Sequence, residues 1–272
     1  MVSNEQRRRQ LAREKFERQQ ERREAARRKS RRRNAVIAAG LAVVVAAGAT
    51  AFATGALSGD DKKDTADAAG PTPPVPSKGP DPCAKPAPGS PAKKTWKSEP
   101  EMSIDKSASY AMDMKTTCGT IDLKLDAAKA PHTVNSFNFL AGQGFFDHTK
   151  CHRLTTEGIF VLQCGDPTAS GSGGSGYTIP DENLKDPKLK GNVYPAGTVA
   201  MANTGQPNSG GSQFFLVYKD SQLDPKYSPV GTIGADGMKT LKKIADAGVA
   251  GGGTDGPPNA TVVIDKAAVT KS

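Results

Sequence analysis

The sequence lacks the short motifs that mark covalent enzyme chemistry. There is no GxSxG nucleophile elbow, and no glycine-rich loop followed by Lys-Ser/Thr. The stretch Gly171–Gly176 (GSGGSG) has no such lysine and reads as a mobile loop. Histidine is scarce: His132, His148 and His152 are the full set, and none stands in a triad context. No CxxC pair occurs. The one His/Cys cluster, His148-Thr149-Lys150-Cys151-His152, sets a Cys and a His side by side, where a strand cannot converge both with His148 on one ion. Neither a metal nor a cofactor is expected. Net positive charge is absent from most of the chain too. Of the 272 residues, 37 are Lys or Arg and 28 Asp or Glu, a net of +9. Residues 1–34 alone hold 14 basic residues and 5 Glu, so the remaining 238 balance at 23 against 23. A neutral body with a cationic extension excludes a nucleic-acid-binding main domain.

What is there divides into four parts. Residues 1–34 are too polar to build a core and read as a solvated, charged cytoplasmic tail, drawn to anionic lipid head groups. Contact of this tail with nucleic acid is the sharper alternative. Residues 35–57 carry no charge, and 23 residues at ~1.5 Å each cross a bilayer core of roughly 30 Å. Arg31-Arg32-Arg33 precedes this span, and Asp60 and Asp61 are the next charges. Positive-inside logic puts the N-terminus in the cytoplasm and everything after residue 57 outside, on a single-pass signal anchor. The rival is a cleaved signal peptide, with Ala51-Phe52-Ala53 resembling a cleavage site and a secreted product. Residues 58–100 hold the proline-dense PTPPVPSKGPDPCAKPAPGSPAKK, which favours an extended, disordered linker. Residues 101–272 remain for one globular domain.

Cys83, Cys118, Cys151 and Cys164 all follow the span, in a compartment that permits disulfides. Four cysteines allow three pairings. Cys151 and Cys164 flank an expected hairpin and are candidate cross-strand partners, which would leave Cys83 for Cys118. Free buried thiols are the alternative.

In the body, Tyr110–Lys115 and Thr120–Leu125 alternate apolar and polar residues, as half-buried strands do. Strand-like runs recur at His152–Leu154, Ile159–Gln163, Gly197–Met201, Gln213–Tyr218, Val230–Ile233 and Thr261–Asp265. Pro131–Gly142 and Gly237–Ala247 show helical spacing of Val134, Phe137 and Leu140, and of Leu241 and Ile244. Many short strands with two helices read as a β-barrel or sandwich.

Three motifs interleave polar with large apolar residues: His152-Arg153 followed by Phe160-Val161-Leu162-Gln163-Cys164-Gly165-Asp166, then Met201-Ala202-Asn203-Thr204-Gly205, then Gly211-Ser212-Gln213-Phe214-Phe215. In this order and spacing the chain, over about residues 108–268, resembles the cyclophilin family of peptidyl-prolyl isomerases, and among them the membrane-anchored, exported cyclophilins of actinobacteria. The resemblance implies a mainly β fold, an eight-stranded antiparallel barrel capped by two α-helices. It implies that Arg153 is the catalytic arginine, that Phe160, Val161 and Phe215 wall a proline pocket with Leu223 beside them, and that Gln163 and Gln213 are polar groove residues. Ala202 and Asn203 then bind the substrate backbone, and Tyr227 holds a place usually occupied by histidine. Phe214, next to Phe215, points the other way by strand alternation and belongs to the core.

The implied chemistry breaks no bond, which fits a sequence without a nucleophile. The partners implied are proline-containing segments of newly exported proteins. The chain departs from the family pattern in three ways. Residues 154–159 run about two longer than the common form. Val161 stands where methionine is common, which leaves the pocket slightly roomier. Gln222 replaces a tryptophan that contacts cyclosporin, so cyclosporin binding should be weak. A reading from another class is a non-catalytic module that holds proline segments as a chaperone or scaffold; the intact set of Arg153, Phe160, Gln163 and Phe215 favours the enzyme.

Overall fold

A strand with one face buried needs apolar residues at every second position, and the first two strands have them. The computed structural model describes residues 81–271. In β1 (Tyr110–Thr116) the side chains of Tyr110, Met112 and Met114 are buried, and in β2 (Gly119–Leu125) those of Ile121, Leu123 and Leu125. The two pair antiparallel with Met112 opposite Leu123 and Met114 opposite Ile121, so both apolar rows face the same core.

The remaining strands are β3 (Thr149–Lys150), β4 (Arg153–Thr155), β5 (Val161–Cys164), β6 (Val193–Tyr194), β7 (Thr198–Met201), β8 (Phe214–Val217), β9 (Ser221–Gln222), β10 (Pro229–Ile233), β11 (Asp255–Gly256) and β12 (Val263–Lys271). Ten of them form one antiparallel sheet in the order β11-β4-β5-β8-β7-β10-β2-β1-β12-β3, and β6 and β9 form a separate two-stranded ribbon. Strand β3 at one end of this order runs directly into β4, the second strand from the other end. Only Cys151 and His152 separate β3 from β4; the Cys151 amide bonds to Val262 O and the His152 amide to Gln163 O. The sheet therefore curls.

The strand count corrects the expectation of eight. The run expected over His152–Leu154 is β4, and β3 is an extra two-residue strand just before it, where the chain pairs with β12 before it turns to β5. Strand β11 and the β6–β9 ribbon are two-residue pairings that hydrophobic alternation does not mark. The last strand also runs on to Lys271, past the expected Asp265, because β1 offers a partner along that whole length.

Two helices cover the sheet, α1 (Pro131–Gly142) and α2 (Ala235–Asp246), both where helical spacing placed them. Helix α1 buries Val134, Phe137 and Leu140. The residue before it offers no side-chain cap. Glu182 takes that role from a distance, accepting bonds from the amides of His132 and Thr133 (3.0 and 2.9 Å) and the Thr133 hydroxyl (2.8 Å). Phe137, Phe146 and Phe214 meet ring to ring at 5.3–5.9 Å in the core. Phe214 faces this core and Phe215 a smaller apolar cluster outside the sheet, as strand alternation requires.

The basic tail, the 35–57 span and the linker up to residue 80 lie outside the described residues. Among the described residues no helix is long and apolar enough to cross a membrane. From Asp81 onward the proline-rich segment has neither helix nor strand, yet it is fastened rather than free. Cys83 is bonded to Cys118, the Ala84 amide donates to Thr117 O (2.8 Å), and the Ala87 amide to Asp265 (2.9 Å). The Trp96 amide donates to Ser175 O (2.8 Å), and its ring packs on Phe139 and Phe145 at 5.1 and 5.9 Å. The second disulfide joins Cys151 to Cys164, and no described cysteine is free.

Candidate active site

Strands β4, β5, β8 and β7 lie side by side, and their register builds one row of residues across them. Arg153 is opposite Gln163, Gln163 opposite Phe215, and Phe215 opposite Ala200. One step along, Val161 is opposite Val217. Residues two apart on a strand share a face, so Val161 stands beside Gln163 on the outer side of the curled sheet. Loops complete the surface: Ala202 and Asn203 follow β7, Leu223 follows β9, and Tyr227 precedes β10.

Together they form a cup of about 180 Å³. Its apolar wall is Ile159, Val161, Phe215, Leu223 and Tyr227, and its polar rim is Arg153, Gln163 and Asn203, with Ala202 beside them. Tyr227 presents its ring edge to Phe215 at 5.4 Å. The buried Tyr194 hydroxyl holds that loop, donating to Tyr227 O (2.8 Å) and accepting from the Tyr227 amide (3.2 Å). Asn203 fixes the opposite lip: its Nδ2 donates to Lys226 O (2.7 Å), and its Oδ1 accepts from the Gly205 amide (2.9 Å).

A chain of polar contacts crosses the rim. Asp255 grips Arg153 with both oxygens, Nε to Oδ1 and Nη2 to Oδ2, each at 2.7 Å. Arg153 Nη1 donates to Gln163 Oε1 (3.3 Å), Gln163 Nε2 to Gln213 Oε1 (2.7 Å), and Gln213 Nε2 to Gly173 O (2.9 Å). The bond to Asp255 raises the guanidinium above its already high ordinary value, so Arg153 is a permanent cation. The same bond holds the Asp255 carboxyl below the usual carboxylate range, against a smaller contribution from burial.

A second groove, about 570 Å³, adjoins the cup and shares Gln163, Ala202 and Asn203 with it. Gln213 belongs to this groove and not to the cup. Its outer wall is the glycine-rich stretch expected to be loose, which is instead pinned. The buried Asp166 carboxylate accepts from the Thr168 amide and hydroxyl and the Gly171 amide, each at 2.7 Å, and from the Gly173 amide at 3.1 Å. Burial pushes the Asp166 carboxyl up, but these donors outweigh it and leave the group below its ordinary value. A β-carbon at Gly173 would meet Asp166 Oδ1 at 2.0 Å, so glycine there is what lets the loop close on the carboxylate.

Of the residues expected from sequence, Arg153, Val161, Gln163, Ala202, Asn203, Phe215, Leu223 and Tyr227 all line the cup. Phe160 does not, which corrects that assignment. Its ring lies against Tyr218 at 5.9 Å with Lys219 Nζ 4.4 Å above it, and its amide donates to Ser221 Oγ. Strand alternation puts Phe160 on the face opposite Val161, and the tight Glu157–Ile159 bridge brings Ile159 into the wall instead. Sequence reading missed Ile159 and Asp255. Alternation across 159-161-163 would have found the first. The second lies 102 residues from Arg153 in a glycine-rich stretch with no local signal.

A curled antiparallel sheet with two helices, and an arginine on the rim of an apolar cup on its outer face, define one class. Residues 111–269 match the family described as cyclophilin type peptidyl-prolyl cis-trans isomerase/CLD. The chain belongs to this family. It is 56% identical over 166 residues to the probable peptidyl-prolyl cis-trans isomerase B of Mycobacterium leprae, covering 58% of this chain and 56% of that one. To the probable peptidyl-prolyl cis-trans isomerase B of Mycobacterium tuberculosis it is 54% identical over 165 residues, covering 58% and 53%. The chain thus spans about half the length of these relatives. Among solved structures, the cyclophilin type peptidyl-prolyl cis-trans isomerase of Cryptosporidium parvum is similar, with a TM-score of 0.50 and 25% identity, over 60% of this chain and 99% of that one.

Proposed function

We propose that the chain is a peptidyl-prolyl cis-trans isomerase acting on proline-containing segments of exported polypeptides. The observation that carries this is a permanent guanidinium on the rim of an apolar cup, with two of its N–H groups unused among the described residues.

Rotation about an X–Pro bond faces a barrier of ~18–20 kcal/mol from amide resonance. Uncatalysed exchange takes roughly tens to hundreds of seconds. A catalyst must bind the twisted amide better than either planar isomer. Twisting makes the prolyl nitrogen pyramidal and localises its lone pair, which a guanidinium fixed beside the cup stabilises. Val161, Phe215 and Leu223 grip the ring, while the Ala202–Asn203 segment and Gln163 hold the flanking peptide, so that only one side of the bond turns. A charge-assisted hydrogen bond contributes roughly 1.5–3 kcal/mol. That is about 10–150-fold in rate, so grip and desolvation in the cup supply the rest. Weak cyclosporin binding is part of this reading: Gln222 is exposed beside the cup and donates to Gly191 O instead of offering an aromatic ring.

The same reading places residues 101–272 outside the cell membrane, held by the 35–57 span. Its support is the uncharged span behind Arg31-Arg32-Arg33 and the two disulfides, which suit an oxidising compartment.

The test is a prolyl-isomerisation assay on the full-length protein beside Arg153→Ala. The expected result is a fall in kcat/KM of roughly 10–150-fold with the fold retained. A folded, disulfide-bonded wild type without activity would overturn the isomerase and leave a proline-binding module.

A further inference from the structure

We propose that Asp255 is the positioning residue of Arg153, and that its carboxylate decides which edge of the guanidinium faces the cup. The proposal rests on the isomerase reading above.

A guanidinium has five N–H donors in a fixed plane. Asp255 takes two of them, Nε–H and one Nη2–H, at 2.7 Å each. Gln163 Oε1 takes one on Nη1 at 3.3 Å. Two remain, one on Nη1 and one on Nη2, and the Nη2 hydrogen lies on the outer edge of the group, between Nη2 and Nη1 and away from Asp255. That edge is the fork that a single carbonyl oxygen or a localised lone pair accepts. Without Asp255, the only bond left among the described residues is the long one to Gln163, and the guanidinium can turn its Nε edge to substrate as readily as its outer edge.

The backbone delivers this contact. Strand β11 pairs with β4, with Asp255 opposite Thr155 and Gly256 opposite Leu154. Asp255 therefore shares a face with Thr155 and Arg153 and reaches Arg153 along the diagonal. The chain before it turns on Gly251 and Gly252, both at positive φ (75° and 72°), and Pro257 and Pro258 stiffen the chain after it. A two-residue strand between such flanks buries little, so its contribution to the core is small. The ion pair is also open to water, with the Arg153 and Asp255 side chains 37% and 55% exposed. Exposed pairs contribute little to stability. A bidentate geometry that does little for the fold, on the residue that touches substrate, is a positioning device.

The carboxylate has a second, opposite effect, since it offsets part of the charge that stabilises the twisted amide. The sign of the variant separates the two. In the full-length protein, kcat and KM are measured on a proline-containing peptide for wild type, Arg153→Ala, Asp255→Ala, Asp255→Asn and Asp255→Glu, with the Arg153 Nε–H resonance followed by NMR. The expected result for Asp255→Ala is a kcat lower by roughly tenfold to a hundredfold, little change in KM or Tm, and an Nε–H signal lost to exchange with water. Asp255→Glu should recover part of kcat and the signal. An unchanged or raised kcat in Asp255→Ala and Asp255→Asn, with Arg153→Ala inactive, would overturn the positioning role and leave the isomerase standing. An inactive wild type would remove the isomerase reading itself, and then the Nε–H signal alone reports whether Asp255 fixes the guanidinium. If Asp255→Ala fails to fold, the isosteric Asp255→Asn decides.

Discussion

His152 sits one residue before Arg153, at the point where the sheet changes partner, and among the described residues neither of its ring nitrogens has a hydrogen-bond partner. Burial pushes its pKa down; the Asp166 carboxylate opposes this and the Arg153 guanidinium adds to it. The folded-state pKa therefore lies below the ordinary histidine value of about 6.5. As pH falls through that value the unfolded chain takes up a proton before the folded one, so stability is complete above it and is lost as pH falls toward the folded pKa. Thermal unfolding should thus occur at a lower temperature at pH 5 than at pH 7, and His152→Leu should flatten the difference. Equal slopes in wild type and variant would assign the dependence elsewhere. Asp166 and Asp255 act in a more acidic range, where their depressed carboxyls hold stability above the ordinary carboxylate pKa and lose it below.

At the scale of elements, the segment 81–100 contributes through side chains rather than through regular structure. Trp96 is the single tryptophan of the chain, and it covers Phe139 of α1 and Phe145 just beyond it. Lys94 Nζ sits 5.2 Å from its ring centroid. Half-buried aromatic contact of this kind, with two ring partners, is worth about 2 kcal/mol. Trp96→Ala should therefore lower the unfolding free energy by about that amount, read by urea denaturation followed by circular dichroism. A variant as stable as wild type would mean that the Cys83–Cys118 bond, not the ring, holds the segment. Proline density pointed to an extended, disordered linker up to residue 100, whereas residues 81–100, without helix or strand, are docked on the body. It said nothing of docking, because the surfaces that receive it, Thr117, Ser175 and Asp265, are far away in sequence.

Over the whole molecule, the two disulfides sit at opposite kinds of place. Cys151–Cys164 closes a 13-residue separation beside Arg153 and Gln163, while Cys83–Cys118 closes 35 residues and ties the proline-rich segment to the β1–β2 turn. Loop-closure arguments give each roughly 3–4 kcal/mol. A domain has about 5–15 kcal/mol in all. Reduction should therefore lower the urea midpoint by roughly 2–3 M; an unchanged midpoint would show that the cross-links only restate contacts the core already enforces. The sequence by itself determined the two helices, most of the long strands and the opposed facing of Phe214 and Phe215, because burial on one face imposes a local period of 2 or 3.6 residues. It also determined which residue types converge at the site, through three motifs whose order is local information. Only the tertiary structure decided that β3 and β4 part company at Cys151, and that Asp255 holds Arg153. Each of these depends on which strand lies alongside which, a choice made by packing over a hundred residues of separation, and no local period encodes it.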